Sequence, residues 1–538
     1  MKKILFYICV FLHVAVLSAQ AQEQVVRPKL VVGIVVDQMR WDYLYKYYEK
    51  YSENGLKRLM KDGFNCQNTM INYLPSFTGP GHATIYTGSV PAIHGIAAND
   101  WVDNKTGRFI YCAEDKAVQP VGGSRKAGQM SPRNMYTTTI TDEVKIATHG
   151  KAKVFGIGIK DRGSILPAGH SADGAFWFDD STGNFITSSY YMQQLPAWLT
   201  RFNSRRWADT FMAGEWRLLY PAAGYTNSTA DNTDWEGKFP GETAPVFPHK
   251  TPVYKNRGYY GIRYMPAGNT LTFKAAKACI KGEQMGVDDI TDFLCVTFST
   301  PDYAGHNYGP DALEMEDMYL RWDRELASFL AYLDKNIGKG QYTVFLTADH
   351  GAAHNAGYMN SMKIPAGSET QAEATDRLNE YLKEKTGKDS LIKALYNYQV
   401  YFNKDAGEDE DIKAAVTDWL YKQDGVAYVV DMQDMDDAVV PEPIKTMIVN
   451  GYNRERSGSI QIIMKPGWYS GHGKTGTTHG SWNPYDTHIP LLWYGAGIKK
   501  GQTHRTVHMT DIAPTLAALL RIQMPNGCVG QVITGMLD

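Results

Sequence analysis

Four short apolar runs, each ending at or just before a charged residue, constrain this chain more than any other feature. Leu30–Val36 (LVVGIVV) stops at Asp37, and Val154–Ile159 (VFGIGI) stops at Lys160. Phe293–Phe298 (FLCVTF) ends shortly before Asp302, and Tyr342–Thr347 (YTVFLT) shortly before Asp349. The runs are continuous and largely β-branched or aromatic rather than alternating, as strands covered on both faces are. Ile460–Met464 and Ile489–Trp493 read the same way. Helical spacings fall between them. Met315, Tyr319, Trp322, Leu326, Phe329, Leu330 and Leu333 recur at helix intervals over about five turns. Leu56–Lys61 and Thr510–Leu520 are similar. Strands alternating with helices predict an α/β core: a largely parallel sheet flanked by helices.

Two stretches interrupt the alternation. Residues from about 165 to 285 are rich in Tyr, Trp, Gly and Asn, with few clean strands. Residues from about 355 to 458 hold amphipathic segments and a short strand, Val426–Val430. Both read as cap-like insertions on one core occupying residues 22–538. The aromatics of the first either stack on a ligand or pack a loop-rich cap.

The length of 538 residues allows roughly three to four domain equivalents. Lys and Arg total 55 against 57 Asp and Glu, a net charge of −2, so nothing points to nucleic acid through bulk charge. The only long apolar run is N-terminal. Lys2 and Lys3, the apolar Ile4–Ser18, and Ala19-Gln20-Ala21 follow the plan of a secretory signal occupying 1–21. The run is short for a spanning helix. The expected location is periplasmic or secreted, with no membrane span in the mature chain. Cys9 leaves with the signal, and an oxidising compartment permits disulfides among Cys66, Cys112, Cys279, Cys295 and Cys528. Cys66–Cys112 and Cys279–Cys295 close the shortest loops, leaving Cys528 odd, but spacing does not fix connectivity. No CxxC is present, which disfavours cysteine-based zinc sites.

Open α/β sheets bind ligands beyond the carboxyl ends of their strands. Asp37, Asp302 and Asp349 all belong there, and three buried carboxylates need a cation or pairing. His306 follows Asp302 in PDYAGH, His350 follows Asp349 in TADHG, and His479 lies in TTHG. Imidazole and carboxylate together suit zinc, and two Asp/His sets suit two ions. Taken singly, each pair would be structural; their joint placement at strand ends points to metal. His472 and His488 are the nearest rivals to His479. His82 and His354 read as supporting residues.

In PSFTGPGHAT (75–84), Thr78 precedes Gly-Pro-Gly and a helix-compatible run, so it fits an N-cap. A helix N-terminus favours an anion, and a hydroxyl beside zinc is a competent nucleophile at phosphorus. A purely structural cap remains the alternative from these residues alone.

Together these motifs resemble the alkaline phosphatase superfamily, and within it the bacterial periplasmic phosphate monoesterases with a threonine nucleophile. The resemblance spans nearly the whole mature chain. It runs from VVDQMRWDYL through PSFTGPGHAT, AAND, IKDR, STPDYAGH and TADHG to GTTHGSWNPYDTHIPLL, in family order. It implies one zinc held by Asp302, His306 and His479, and a second by Asp37, Asp349, His350 and the Thr78 oxygen. It implies Asn99, Lys160 and Arg162 on the phosphoryl oxygens. On an extended segment, positions i and i+2 face one side, so Lys160 and Arg162 can point at one anion; without the resemblance, KDR would read as a solvated charge cluster. The chain departs from phosphatases that use serine and a magnesium ion, and from sulfatases with their CxPxR or SxPxR segment. The related nucleotide pyrophosphatase/phosphodiesterases share the threonine and the ligands but do not generally show the Lys-x-Arg pair. The expected activity is hydrolysis of phosphorylated small molecules through a phosphothreonine at Thr78, by a monomer. A phosphodiesterase on the same scaffold and a non-catalytic, zinc-stabilised secreted binding protein are the alternatives.

Overall fold

In the computed structural model, the described residues are 27–252, 258–471 and 474–537. The leader pattern at 1–21 and His472 lie outside them. An 11-stranded mixed sheet organises the molecule. At its centre Tyr342–Thr347, Leu30–Val36, Asp292–Phe298, Val154–Gly158 and Gly174–Asp179 run parallel in that spatial order. Every residue of these five strands is buried, which explains their unbroken apolar sequences. Leu491–Gly495, Phe64–Met70 and His488–Ile489 extend one edge, the first antiparallel to Tyr342–Thr347, and Gly501–His508 pairs beside Phe64–Met70. Asn184–Ser188 and Pro120–Val121 extend the other edge. The helices Thr78–Thr87, Asp161–Ala168, Ala267–Gly282 and Leu313–Leu333 pack around this sheet, as the alternation of strand and helix predicts.

The stretch at 165–285 contributes more to the sheet than its composition suggests, because Gly174–Asp179 and Asn184–Ser188 are full members. Beyond them the chain forms an aromatic cap without regular layers, and its apolar residues, such as Leu199, Trp216 and Phe239, join the main core. Buried carboxylates at the start of Leu313–Leu333 hold it. Asp317 accepts from the Trp216 indole (2.7 Å), the Leu219 amide (2.7 Å) and the Tyr225 hydroxyl (2.5 Å). Glu316 accepts from the Asn227 amide at 3.1 Å. His249 lies between Glu242 (2.9 Å) and Glu314 (3.1 Å).

The second stretch builds its own layers. Ile392–Tyr396, Gln399–Phe402, Ile460–Met464 and Val426–Asp431 form a four-stranded antiparallel sheet. Ile460–Met464 therefore belongs here and not to the main sheet. The helices Gln371–Thr386 and Glu410–Tyr421 cover it, enclosing a separate core with Leu378, Leu382, Val400, Val416 and Ile460.

The five cysteines of the described residues are all free thiols, so neither short-loop pairing forms. Cys66 and Cys112 pack in different apolar clusters. Cys279 sits on a helix and Cys295 on a strand of the main core, where Cys295 Sγ–H donates to the Pro167 carbonyl at 3.5 Å. Sequence separation measures loop length, whereas a disulfide requires Cβ atoms about 4 Å apart.

Candidate active site and metal centre

The parallel strands deliver their terminal residues to one edge. Asp37 follows Leu30–Val36, and its amide bonds the Phe298 carbonyl of the neighbouring strand at 3.0 Å. Asp302 occupies the first turn of the helix Thr300–Tyr308 that follows Asp292–Phe298, and His306 lies one turn later. Asp349 and His350 follow Tyr342–Thr347 directly. His479 arrives from a loop far along the chain. Asp37, Asp349 and His350 form one group whose ligand atoms lie within 4.8 Å of one another, and Asp302, His350 and His479 form another. His350 belongs to both, so the two groups share a border. His306 joins through Nε2, 3.1 Å from Asp302 Oδ1.

Two glycines permit this closeness. A Cβ at Gly81 would stand 2.6 Å from the Asp349 carbonyl oxygen, so only glycine lets the Thr78–Thr87 helix sit against Asp349. A Cβ at Gly305 would fall 1.9 Å from Gln38 Oε1. Gln38 Nε2 donates to Asp302 Oδ1 (2.9 Å) and the Gln38 amide to Asp349 Oδ1 (3.2 Å), tying two carboxylates together.

The electrostatics suit cations. Burial raises the Asp37 carboxyl well above its ordinary range, and Asp302 and Asp349 add to the shift. Burial pushes Asp349 up to about 7, with Asp302 contributing. Asp37 Oδ1 and Asp349 Oδ2 are buried without a hydrogen-bond partner. Such orphaned oxygens are costly unless something positive meets them. His350 and His479 are held neutral. Burial depresses both, helped by His479 at His350 and by His306 at His479, which falls to about 3. Nδ1 of His350 faces the Gly351 carbonyl (2.9 Å), and Nδ1 of His479 faces the Ser76 carbonyl (2.7 Å). A carbonyl only accepts, so each Nδ1 carries the proton and each Nε2 presents a lone pair to the cluster. His306 differs: burial opposes its charge, but Asp302 raises its pKa. Oxygen and neutral imidazole donors in these numbers fit zinc.

Thr78 is the first residue of the Thr78–Thr87 helix, and Phe77 occupies the cap position, so the hydroxyl does not cap. It is released toward the cluster, with Oγ1 3.3 Å from His350 Nε2 and 3.4 Å from Lys160 Nζ. Lys160 is not on a continuing extended segment. It caps the helix Asp161–Ala168, and Arg162 lies in the first turn. The two cations still share one cavity of about 730 Å3. Lys160 Nζ donates to Asp37 Oδ2 (2.6 Å) and Asp302 Oδ2 (2.5 Å), while Arg162 donates to the Tyr111 hydroxyl at 3.2 Å. Asn99 Oδ1 accepts from the Gly79 amide at 2.7 Å, fixing it against the start of the Thr78 helix.

Known proteins are similar to this chain over most of its length. Residues 31–487 match the family described as type I phosphodiesterase/nucleotide pyrophosphatase. The chain belongs to that family, within the alkaline phosphatase superfamily. It is 50% identical to alkaline phosphatase PafA of Elizabethkingia meningoseptica over 97% of this chain and 96% of the relative. It is 48% identical to alkaline phosphatase PhoV of Synechococcus elongatus over 96% and 94%. A Myroides odoratus protein named calcium-transporting ATPase is 52% identical over 98% of both chains. A crystal structure of PafA superposes with a TM-score of 0.93, covering 95% of this chain and 99% of that one.

In this family member several residues around the site escaped the sequence reading. Gln38 carries one signal, its place directly after Asp37, and adopts a left-handed backbone (φ 65°). Tyr303 lies next to Asp302, with Lys160 Nζ 5.0 Å from its ring centroid, and Arg263 donates to the Tyr303 hydroxyl at 2.8 Å. Nothing local marks Arg263 or Tyr111. His82 supports the site from behind, with Nδ1 2.9 Å from the Thr78 carbonyl and 3.2 Å from Asp349 Oδ2. His354 pairs with Asp311 at 2.6 Å. His488, a rival to His479, instead stacks on Trp41 and meets the Gln67 carbonyl at 3.0 Å.

Proposed function

We propose that this chain hydrolyses phosphate monoesters to an alcohol and inorganic phosphate, with Thr78 as nucleophile and two zinc ions as cofactors. One observation carries the reading: the Thr78 hydroxyl, released from capping, lies within 3.4 Å of both His350 Nε2 and Lys160 Nζ beside a double carboxylate–imidazole cluster. Asp302, His306 and His479 would hold one ion; Asp37, Asp349 and His350, with the Thr78 oxygen, the other. Ions bound there would supply Lewis acidity to the attacking and leaving oxygens of an in-line displacement.

The chain's own groups do the rest. Thr78 Oγ1 attacks phosphorus, the bond to the alcohol oxygen breaks, and the phosphoryl group is carried as an ester of Thr78. Water then attacks that ester from the side the alcohol left, releasing phosphate and restoring the hydroxyl. Lys160, Arg162 and Asn99 balance charge on the non-bridging oxygens as it builds. Two cationic side chains match a monoester dianion better than a diester monoanion.

The relatives support this reading, since two at 50% and 48% identity are named alkaline phosphatases. A solved PafA variant is changed at a threonine, an asparagine and a Lys-x-Arg pair, and its threonine-to-asparagine interval equals that from Thr78 to Asn99. Among the described residues no helix is long and apolar enough to cross a membrane. The leader pattern supports export to the periplasm or beyond.

Thr78→Ala should lower kcat at least about 10^3-fold even with its metal content restored to the wild-type value. Metal analysis should return two zinc ions per chain; full activity in metal-free protein would overturn the reading. The family description favours a phosphodiesterase as the second reading. Comparing kcat/KM for an aryl phosphate and its methyl diester separates the two, and Arg162→Ala should harm the monoester more.

A further inference from the structure

Nearly every member of the cluster is sealed from solvent. Asp37, Asp349 and His350 are 0% exposed and Thr78 is 1% exposed, whereas the His306 side chain keeps 34% of its surface. Arg162 and Asn99 are also partly open. His306 and Arg162 each open on a cavity. Arg162 and Lys160 line the cavity of about 730 Å3, with Tyr111 on its wall. His306 lines a second one of about 770 Å3 with Thr477, Thr478 and Phe109. Phe109 and Tyr111 belong to one short strand, Phe109–Tyr111, and positions i and i+2 share a face. Phe109 and Tyr111 therefore share one face of that strand, with Phe109 lining the cavity beside His306 and Tyr111 the cavity beside Arg162.

In an in-line displacement the leaving oxygen stands opposite the attacking Thr78 Oγ1. On the monoesterase reading that oxygen belongs beside Asp302, His479 and His306, and His306 is the partly open member of that group. We infer that the cavity beside His306 is a leaving-group subsite for neutral alcohols carrying a flat apolar ring, with Phe109 and Tyr396 as its walls. The inference rests on the monoesterase reading and narrows its substrate class.

Three features carry it. Phe109 is 51% exposed, a large apolar ring left in water at the mouth of a cleft. Tyr396 stands edge-on to it at 5.6 Å and 90°, so the two rings form a corner that a third ring can fill. The corner is braced against the site: Asn397 Nδ2 donates to the Asp100 carbonyl (2.7 Å) and the Tyr398 hydroxyl to the His479 carbonyl (3.2 Å). Charge adds no preference for an ionic alcohol, because among the described residues the charged lining beyond His306 is Asp376 and Lys393, one of each sign. A further cavity of about 400 Å3, containing Trp419 and Trp468, shares Leu395 and Tyr469 with this one and leaves room for larger groups.

Benzyl and ethyl phosphate test the subsite in the holoenzyme, because both release alkoxides of similar basicity and differ in the ring. Wild type should favour benzyl phosphate by about tenfold in kcat/KM, the worth of one well-packed ring contact. Phe109→Ala and Tyr396→Ala should each erase most of that preference and leave ethyl phosphate within about twofold of wild type. No benzyl preference in wild type, or equal losses on both substrates in the variants, would overturn the subsite while ethyl phosphate turnover still upheld the monoesterase. Failure of wild type to hydrolyse either ester would overturn both.

Discussion

The two long stretches at about 165–285 and 355–458 are stabilised internally by opposite means. The aromatic cap has no core of its own; it lends apolar side chains to the main core and is clamped by buried Glu314, Glu316 and Asp317. The second region encloses Leu378, Val416 and Ile460 between two helices and four strands as a core of its own, and meets the site through hydrogen bonds from Asn397 and Tyr398. The difference shows in their titration. Burial opposes a charge on His249, but Glu242 and Glu314 outweigh it and push its pKa up to about 9. Burial, with Glu314 adding, pushes Glu236 up to about 8. A clamp of hydrogen-bonded charges is directional and pH-sensitive, whereas an apolar core is neither.

The sharpest way to break the comparison is to remove one charge from the clamp. His249→Ala leaves Glu314 buried without its partner, and a loss of about 3–5 kcal/mol is expected, read as faster proteolysis confined to 189–252. The same measurement should show the 371–464 region unchanged. Leu378→Ala is the reciprocal test. It should cost about 2–5 kcal/mol and raise amide exchange in the helix Gln371–Thr386 and its sheet, with the cap unaffected. A variant that loosened both regions together would make them one cooperative unit.

Alkaline pH should separate them with less force. The folded pKa of His249 lies above its ordinary 6.5, so its stabilisation is complete below that value and fades as pH rises through about 9. The raised Glu236 acts in the same direction, because ionising it where it is buried becomes unfavourable between its ordinary 4.5 and about 8. Amide exchange in the cap, corrected for its intrinsic pH dependence, should therefore rise relative to the second region between pH 7 and pH 10. Trp216→Phe should have the smallest effect, about 1 kcal/mol, since Asp317 keeps the Leu219, Tyr225 and Arg321 donors.

Legibility followed the range of the signal. Asp37, Asp349 and Lys160 were readable because a buried strand ends where its apolar run ends, and that is a local property. Asp302 and His306 were readable as a pair because four residues make one helical turn. His479 needed the resemblance, since a loop histidine carries no positional signal. Thr78 was placed at the right helix end but one position early, because cap and first residue differ in backbone angle and not in residue type. Gln38, Tyr111, Arg263 and Tyr303 were missed because their partners lie dozens to hundreds of residues away. Cysteine spacing left the connectivity open, and the five described cysteines are free thiols.

The order of buried runs by itself determined an α/β core with acidic groups at one sheet edge, because hydrophobic periodicity and strand length act within a few residues. Tertiary structure alone decided that Lys160 reaches Asp37 and Asp302, that Arg162 rests on Tyr111, and that His306 and Phe109 share one cavity. Those facts depend on distances between elements. Such distances follow from packing the whole chain at once, and no window of sequence contains them.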